Sequence, residues 1–200
     1  MRAAFGLKAR TGRATLVAVA GDTGDPQFVE RSQLALLPVG AWAPYHAARG
    51  LDPVEARASV TRSVAAAHGL ARSGIDEARQ RLTKAGYDVC GCAVLTGSGM
   101  PDWSTDEILA VPVRMHKAEG ELFRDVLVIG ARACDVPVTT IPDKSALDEA
   151  GRSLGLARPR LDAVLAALGK AAGTPWGKDQ KEAAAAALVA LRRFGTGSGA

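Results

Sequence analysis

Three apolar segments with the alternation typical of β-strands fill the first 37 residues, before any helical pattern begins. The first two flank the tight turn RTGR at residues 10–13, and the third covers residues 28–37 after a second turn. Strands joined by tight turns pair with one another in antiparallel fashion. The chain is therefore expected to contain a three-stranded meander, which the rest of the sequence must extend and cover.

Beyond residue 52 the pattern changes, and helical segments alternate with short apolar strands. Helices are predicted over residues 53–68, 75–85, 115–134, 143–154, 159–168 and 178–194, and strands over 87–95 and 136–141. A long connection precedes the first helix, and long loops in compact proteins are often functional. The order predicts an α/β fold: a mixed five-stranded sheet with helices on both faces.

The composition is that of a globular protein, with 48% hydrophobic and 23% charged residues in a chain of 200. We expect a single α/β domain over residues 1–194 and a flexible tail over 195–200. The net charge of +4 permits a nucleic acid or a phosphorylated ligand as partner but does not require one. Membrane contact is not expected, because no segment has about 18 consecutive apolar residues and the N-terminus lacks the core of a signal peptide. The default localisation is cytoplasmic.

Two of the three cysteines, Cys90 and Cys92, lie in the predicted strand 87–95 and are separated by one glycine. Alternation would place both on one face of a buried strand, where small thiols pack well. This structural interpretation is favoured over a metal or redox role, since the CxxC spacing is missing.

The succession of elements resembles the ribonuclease H-like fold, with its order β-β-β-α-β-α-β-α, which ribonuclease H, Holliday-junction resolvases and actin-like kinases share. The resemblance covers nearly the whole chain. Two local sequences add to it. VPVTTIPDKS, at residues 136–145, is followed by a helix, and the alanine-rich KDQKEAAAAALVAL, at residues 178–191, is similar to the closing helix of resolvases.

The resemblance implies acidic residues on the first strand, near the end of the fourth strand and on the last helix, where members that cut nucleic acid hold two Mg²⁺ ions. This chain departs from that pattern. The first strand carries Lys8, the fourth strand ends in LTGSG without an acid, and only Asp179 and Glu182 remain on the last helix. An ammonium group would repel a metal pair. We therefore expect a degenerate active site without conventional two-metal nuclease activity; Mg²⁺ is the cofactor that the resemblance suggests, and no ligand set is assigned to it.

The position of Lys8 near the end of a strand favours an ammonium group that reaches solvent. The alternative is that Lys8 meets a phosphate or carboxylate of a substrate. Sequence position leaves both open.

The most suggestive stretch is RMHKAEGELFRDVL, at residues 114–127, where a histidine and a glutamate three residues apart share one face of a helix. A neutral histidine held by a carboxylate can act as a base near neutral pH, although such pairs are more often a solvated helix face. In the assumed fold this helix starts near the edge at which the first strand ends. The group expected to converge there as catalytic residues is Lys8, His116, Glu119 and Asp179.

Further polar residues are candidates for binding a ligand around the same site. They lie in the long loop, on the helix with the histidine and at the start of the last helix: Tyr45, His46, Arg124, Lys178 and Lys181. The loop histidine could equally be without a role.

Three functions remain open from the sequence. The leading hypothesis is a protein without conventional nuclease activity that binds nucleic acid or a phosphorylated ligand through Lys8, Lys178, Lys181 and surface arginines. The second is a hydrolase-type enzyme that uses His116, Glu119 and Lys8. The third is a homodimer or other partner-binding protein whose exposed surface lies around Trp42 and Tyr45. Whether the chain is an enzyme at all is left undecided.

Overall fold

A computed structural model describes residues 1–195, which contain one five-stranded sheet in the order β3-β2-β1-β4-β5. Strands β1, β2 and β3 form the expected antiparallel meander, whereas β4 runs parallel to β1 and β5 parallel to β4. The strands are β1 Arg2–Arg10, β2 Arg13–Asp22, β3 Asp25–Ala35, β4 Asp88–Thr96 and β5 Val138–Pro142. The mixed five-stranded sheet is thus confirmed.

Seven helices and one 3₁₀ turn complete the described part of the chain. The helices are α1 Pro44–Ala48, α2 Pro53–Lys84, α3 Thr105–Leu109, α4 Pro112–Ala133, α5 Ala146–Leu154, α6 Arg158–Ala172 and α7 Lys178–Gly195, and the 3₁₀ turn is Asp143–Ser145. Gly195, which was expected in the tail, is the last residue of α7, and residues 196–200 lie outside the described residues. None of the helices up to residue 195 is long and apolar enough to cross a membrane.

Helix α2 is a single helix of 32 residues, and the prediction of two helices was wrong. It begins as predicted, because the Asp52 side chain accepts hydrogen bonds from the backbone N–H groups of Val54 and Glu55. The first predicted helix was ended at residue 68 because Gly69 follows it. A glycine inside a helix lowers the stability of that helix by about 1 kcal/mol relative to alanine. The buried face continues across that position from Val60 to Leu82, so packing against the rest of the fold outweighs the local preference.

Helices cover both faces of the sheet, as predicted. One face packs on α2 and α4 through a core that includes Phe5, Leu7 and Leu16. The other packs on α5, α6 and above all α7, where consecutive alanines from Ala183 to Ala187 are fully buried. The alternation of side chains along β1 sends odd-numbered residues to the first face and even-numbered ones, including Lys8, to the face covered by α7.

Helix α7 lies unusually close to the centre of the sheet, over Gly6 of β1. A Cβ atom at residue 6 would overlap the carbonyl oxygen of Ala183 and crowd the backbone nitrogen of Ala187. Glycine at this strand position and alanines on the helix therefore allow the two backbones to approach each other. This approach brings the start of α7 over the end of β1.

Replacing Gly6 with alanine is expected to lower the free energy of unfolding by about 3 kcal/mol, which is near the upper end of the range for overpacked cores. The loss is large because the added Cβ would meet backbone atoms of α7, which cannot change rotamer as a side chain can. Urea unfolding followed by circular dichroism would measure the change. The matched control is Gly69→Ala in α2, where an added Cβ meets nothing within 4 Å and helix propensity predicts a gain of up to about 1 kcal/mol. A Gly6→Ala variant as stable as the wild type would contradict the close approach.

The expectation that Cys90 and Cys92 share one face of β4 was wrong. The pairing of β1 with β4 shifts by one residue, so that Ala3 pairs with Val89 but Ala4 pairs with Gly91. Cys90 is the extra residue of this bulge, and it packs toward α7 while Cys92 packs toward α2 and α4. Burial raises the pKa of the Cys92 thiol to about 12, which is consistent with the structural role that was predicted.

Candidate functional site

The site lies at the sheet edge where the three parallel strands β1, β4 and β5 end. Lys8 stands near the end of β1, and Asp143 opens the 3₁₀ turn directly after β5. The first turn of α7, with Asp179 and Glu182, reaches the same edge because this helix packs over β1. The strand ends and the helix start thus place one ammonium group among three carboxylates.

Lys8 makes close contacts with all three carboxylates. Its Nζ donates a hydrogen bond to Oδ1 of Asp143 at 2.7 Å and another to Oε2 of Glu182, and it lies 4.0 Å from Oδ1 of Asp179. Lys8 is only 3% exposed, so the ammonium group has exchanged water for carboxylate oxygens. A buried ammonium is tolerated when it is paired in this way.

The expectation that Lys8 extends into solvent was therefore wrong. The residue projects from the face of β1 that α7 covers, and the helix closes over it. The alternative of contact with a substrate phosphate also finds no support, because its charge is already neutralised by Asp143 and Glu182.

Arg10, at the end of β1, adds a second cation at the rim of this cluster. Its guanidinium donates to both oxygens of Asp179, at 2.9 and 2.5 Å. This hydrogen bonding holds the pKa of the Asp179 carboxyl below its usual value, so that the group is ionised at neutral pH. Lys178 lies more loosely beside the cluster, with its Nζ 3.8 Å from Glu182.

The arrangement does not fit the pair of Mg²⁺ ions that the fold resemblance implied. Magnesium needs oxygen ligands in near-octahedral geometry, and here an ammonium group donates hydrogen bonds to the same oxygens. The end of β4 supplies no carboxylate either, since it continues into Gly97 and Ser98. The ammonium group of Lys8 occupies the position between the carboxylates that a metal ion would need.

A cleft of about 460 Å³ opens beside the cluster, between the ends of β4 and β5 and the first half of α4. Its walls carry three basic groups, Lys117 and Arg124 on α4 and Lys144 in the 3₁₀ turn after β5. The acidic Glu121 and Asp143 also line it. Arg124 lies 3.5 Å from Glu121 and 3.9 Å from Asp143. The expected ligand-binding residue Arg124 is thus located in this cleft.

A second polar cluster adjoins the cleft through His116, where α1 packs against α4. Glu119 is 4% exposed, and its Oε1 accepts the backbone N–H groups of Tyr45 and His46 at 3.2 and 3.1 Å. Nδ1 of His46 lies 2.9 and 2.8 Å from the two carboxylate oxygens. The ring of His116, which also lines the cleft, is centred 4.6 Å from the ring of His46.

The four residues expected to converge therefore separate into two groups. Lys8 and Asp179 meet at the end of β1, whereas His116 and Glu119 meet His46 of the loop segment, which was predicted only as a binding residue. They separate because the side chain of Glu119 points from α4 toward α1, where it accepts a hydrogen bond from the backbone of Tyr45. The carboxylate beside Lys8 is that of Asp143 instead.

Three other expected residues have clear positions. Tyr45 is buried at 9% exposure, so it cannot belong to an exposed partner surface with Trp42, which is 77% exposed. Burial also raises the pKa of the Tyr45 hydroxyl. Lys178 and Lys181 are exposed on the first turn of α7, near the rim of the Lys8 cluster.

Sequence reasoning missed the role of Asp143 and left Glu182 out of the expected site. A signal for Asp143 was present, because an acid that directly follows a predicted parallel strand lies at the same edge as the end of β1. Glu182 lies three residues after Asp179, on the same face of α7.

No family model matches the chain, and the comparison with curated proteins found no match. Among solved structures, T. thermophilus RuvC in complex with a Holliday junction substrate is similar, with a TM-score of 0.51 and 13% sequence identity over 98% of each chain. A further structure of Thermus thermophilus RuvC has a TM-score of 0.51 and 12% identity over 97% of each chain. At these identities the likeness concerns the fold.

Proposed function

Because the chain has a ribonuclease H-like fold, as the order of its elements suggested, we propose that it binds nucleic acid without cutting it by a two-metal mechanism. The observation that carries the proposal is the position of Lys8. Its buried ammonium group lies among Asp143, Asp179 and Glu182. This is the sheet edge at which the nucleases of this superfamily hold Mg²⁺, so the ammonium group takes the place of a metal ion.

Binding is assigned to the cleft beside the cluster. Lys117 and Lys144 line it, and the described residues leave both ammonium groups without an ion pair. Free lysines can neutralise phosphates and release the counterions of a nucleic acid strand. Lys178 and Lys181 extend the basic surface along the first turn of α7. Lys8 is no longer part of the proposed binding surface, since its charge is compensated inside the protein.

RuvC of Thermus thermophilus, which shares the fold, has been solved with a Holliday junction substrate. A branched DNA is therefore included among the ligands to be tested. The proposal itself is limited to a polyanionic nucleic acid strand, because the cleft of this chain presents lysines and arginine and no Phe, Tyr or Trp among its lining residues.

The test is binding of labelled single-stranded DNA, duplex DNA, a four-way junction and RNA across a salt series with Mg²⁺ present, with each sample also run on a denaturing gel. We expect binding that weakens as salt rises, and intact strands on the gel. In the double variant Lys117→Ala with Lys144→Ala, the slope of log affinity against log salt should become less steep by about 2, or roughly one unit for each lost phosphate contact.

The matched control is Arg79→Ala, which removes an exposed charge near the end of α2, at the sheet edge where β4 begins. Its affinity and salt slope should equal those of the wild type. An absence of binding to every strand at low salt would refute nucleic acid as the ligand and indicate a small phosphorylated molecule instead. Cleaved strands would refute the loss of nuclease chemistry.

A further inference from the structure

The second polar cluster, formed by His46, His116 and Glu119, takes no part in the proposed binding of nucleic acid. One nitrogen from each imidazole and one carboxylate oxygen all lie within 4.8 Å of one another. The three residues come from two elements, α1 and α4, that pack together through a small apolar core around Met115 and Tyr45. That core keeps α1 and α4 together and so keeps the three side chains close to one another.

Glu119 is the fixed member of the cluster. Its Oε1 is bound by two backbone N–H groups at the start of α1, which orients Oε2 toward Nδ1 of His46. No lysine or arginine among the described residues forms a salt bridge with this carboxylate, although it is 4% exposed. A buried carboxylate needs a cation to offset its lost hydration, and the imidazole of His46 is the partner in reach.

His116 supplies the third ligand atom, which is the second nitrogen of the set. It precedes Glu119 by one helical turn and therefore stands on the same face of α4. Its side chain is exposed and lines the cleft, so the ring is free to rotate toward His46. Ligand atoms about 2.0–2.1 Å from a tetrahedral ion are separated by about 3.3 Å. A shift of the His116 ring can bring its nitrogen to that distance, and Nδ1 of His46 and Oε2 of Glu119 must move apart from 2.8 Å to admit the ion.

We propose that His46, His116 and Glu119 bind one divalent transition-metal ion of the zinc class. Two imidazole nitrogens and one carboxylate oxygen form a donor set that zinc accepts readily, whereas Mg²⁺ and Ca²⁺ require oxygen ligands. The ion binds between Nδ1 of His46 and Oε2 of Glu119, where these two atoms already face each other. Its two charges also compensate the buried carboxylate.

Three protein ligands leave a fourth position at the ion. This position is assigned to the cleft side, because His116 lines the cleft whereas His46 and Glu119 do not. A water molecule or an anionic group of a ligand in the cleft can occupy it, as in zinc sites that keep one position open. The site shares no residue with the Lys8 cluster, so it can bind its ion whether or not the chain binds nucleic acid.

The test uses the full chain without a histidine tag, freed of metal by a chelator and titrated with Zn²⁺ in a calorimeter. Cobalt(II) serves as a spectroscopic probe of the same site. We expect one ion per chain and the visible bands of cobalt in a nitrogen and oxygen environment of low coordination number. His116→Ala should weaken Zn²⁺ binding by about 100-fold or more, since loss of groups merely behind metal ligands already costs 10–100-fold.

His116→Ala is the informative variant because its side chain is exposed and the fold does not depend on it. Glu119→Gln, in the buried position, should also weaken binding, with circular dichroism to confirm that the variant is folded. The matched control is His68→Ala, which removes the third histidine of the chain from α2 and should leave the affinity within about twofold of the wild type.

Three results would overturn the proposal. They are no binding of Zn²⁺ or Co²⁺ to the wild type, an affinity that His116→Ala leaves unchanged, and a cobalt spectrum with thiolate charge-transfer bands, which would place the ion on a cysteine.

Discussion

Replacing Lys8 with methionine is expected to lower the free energy of unfolding by about 3–5 kcal/mol, the usual loss when one partner of a buried ion pair is removed. Methionine retains an unbranched apolar chain but removes the ammonium group that Asp143 and Glu182 share. Glu182 is only 9% exposed, so its carboxylate would remain buried close to a second carboxylate with no cation between them. Urea unfolding at neutral pH would measure the loss.

Two comparison variants separate this effect from a general loss of charge. Arg10→Met removes a cation of the same cluster whose side chain is 47% exposed, and it should cost less than about 1 kcal/mol. Adding Glu182→Gln to Lys8→Met removes one uncompensated charge and should restore part of the lost stability. Equal losses for Lys8→Met and Arg10→Met would mean that Lys8 is not the central cation of the cluster.

The order of strands and helices could be predicted because its signals are local. The turn at residues 10–13 and the N-cap at Asp52 each fix a boundary through chemistry within a few residues. The errors arose where distant packing decides. Gly69 does not interrupt α2, because a continuous face of this helix is buried. The bulge at Cys90 depends on how β4 pairs with β1.

The candidate site was predicted in part for the same reason. Lys8 and Asp179 could be brought together from the assumed fold, since strand ends and the last helix share an edge. The contact between His46 and Glu119 joins residues 73 positions apart. It depends on the short helix α1, in a segment that was predicted as a long loop. Burial of Lys8 likewise depends on the close approach of α7 over Gly6, which only the assembled fold provides.

Lys8→Asp is expected to make the stability of the protein depend on divalent cations. The substitution places a fourth carboxylate beside Asp143, Asp179 and Glu182 and removes the ammonium group that they surround. Without metal, repulsion between these groups should lower stability even more than Lys8→Met does. With Mg²⁺ at about ten times its dissociation constant, binding should return about 1.4 kcal/mol, a rise in Tm of about 3–6 °C for a chain of this size.

Thermal unfolding with Mg²⁺ or with a chelator would measure this dependence. The wild type should shift by less than about 1 °C, because the ammonium group of Lys8 already holds the cation position. Adding Asp143→Asn to Lys8→Asp removes one oxygen ligand and should reduce the shift, which separates coordination at the cluster from weak binding elsewhere. A wild type that Mg²⁺ stabilises as strongly as the Lys8→Asp variant would show that lysine and metal do not compete. In that case, Lys8 would not explain the proposed loss of two-metal chemistry.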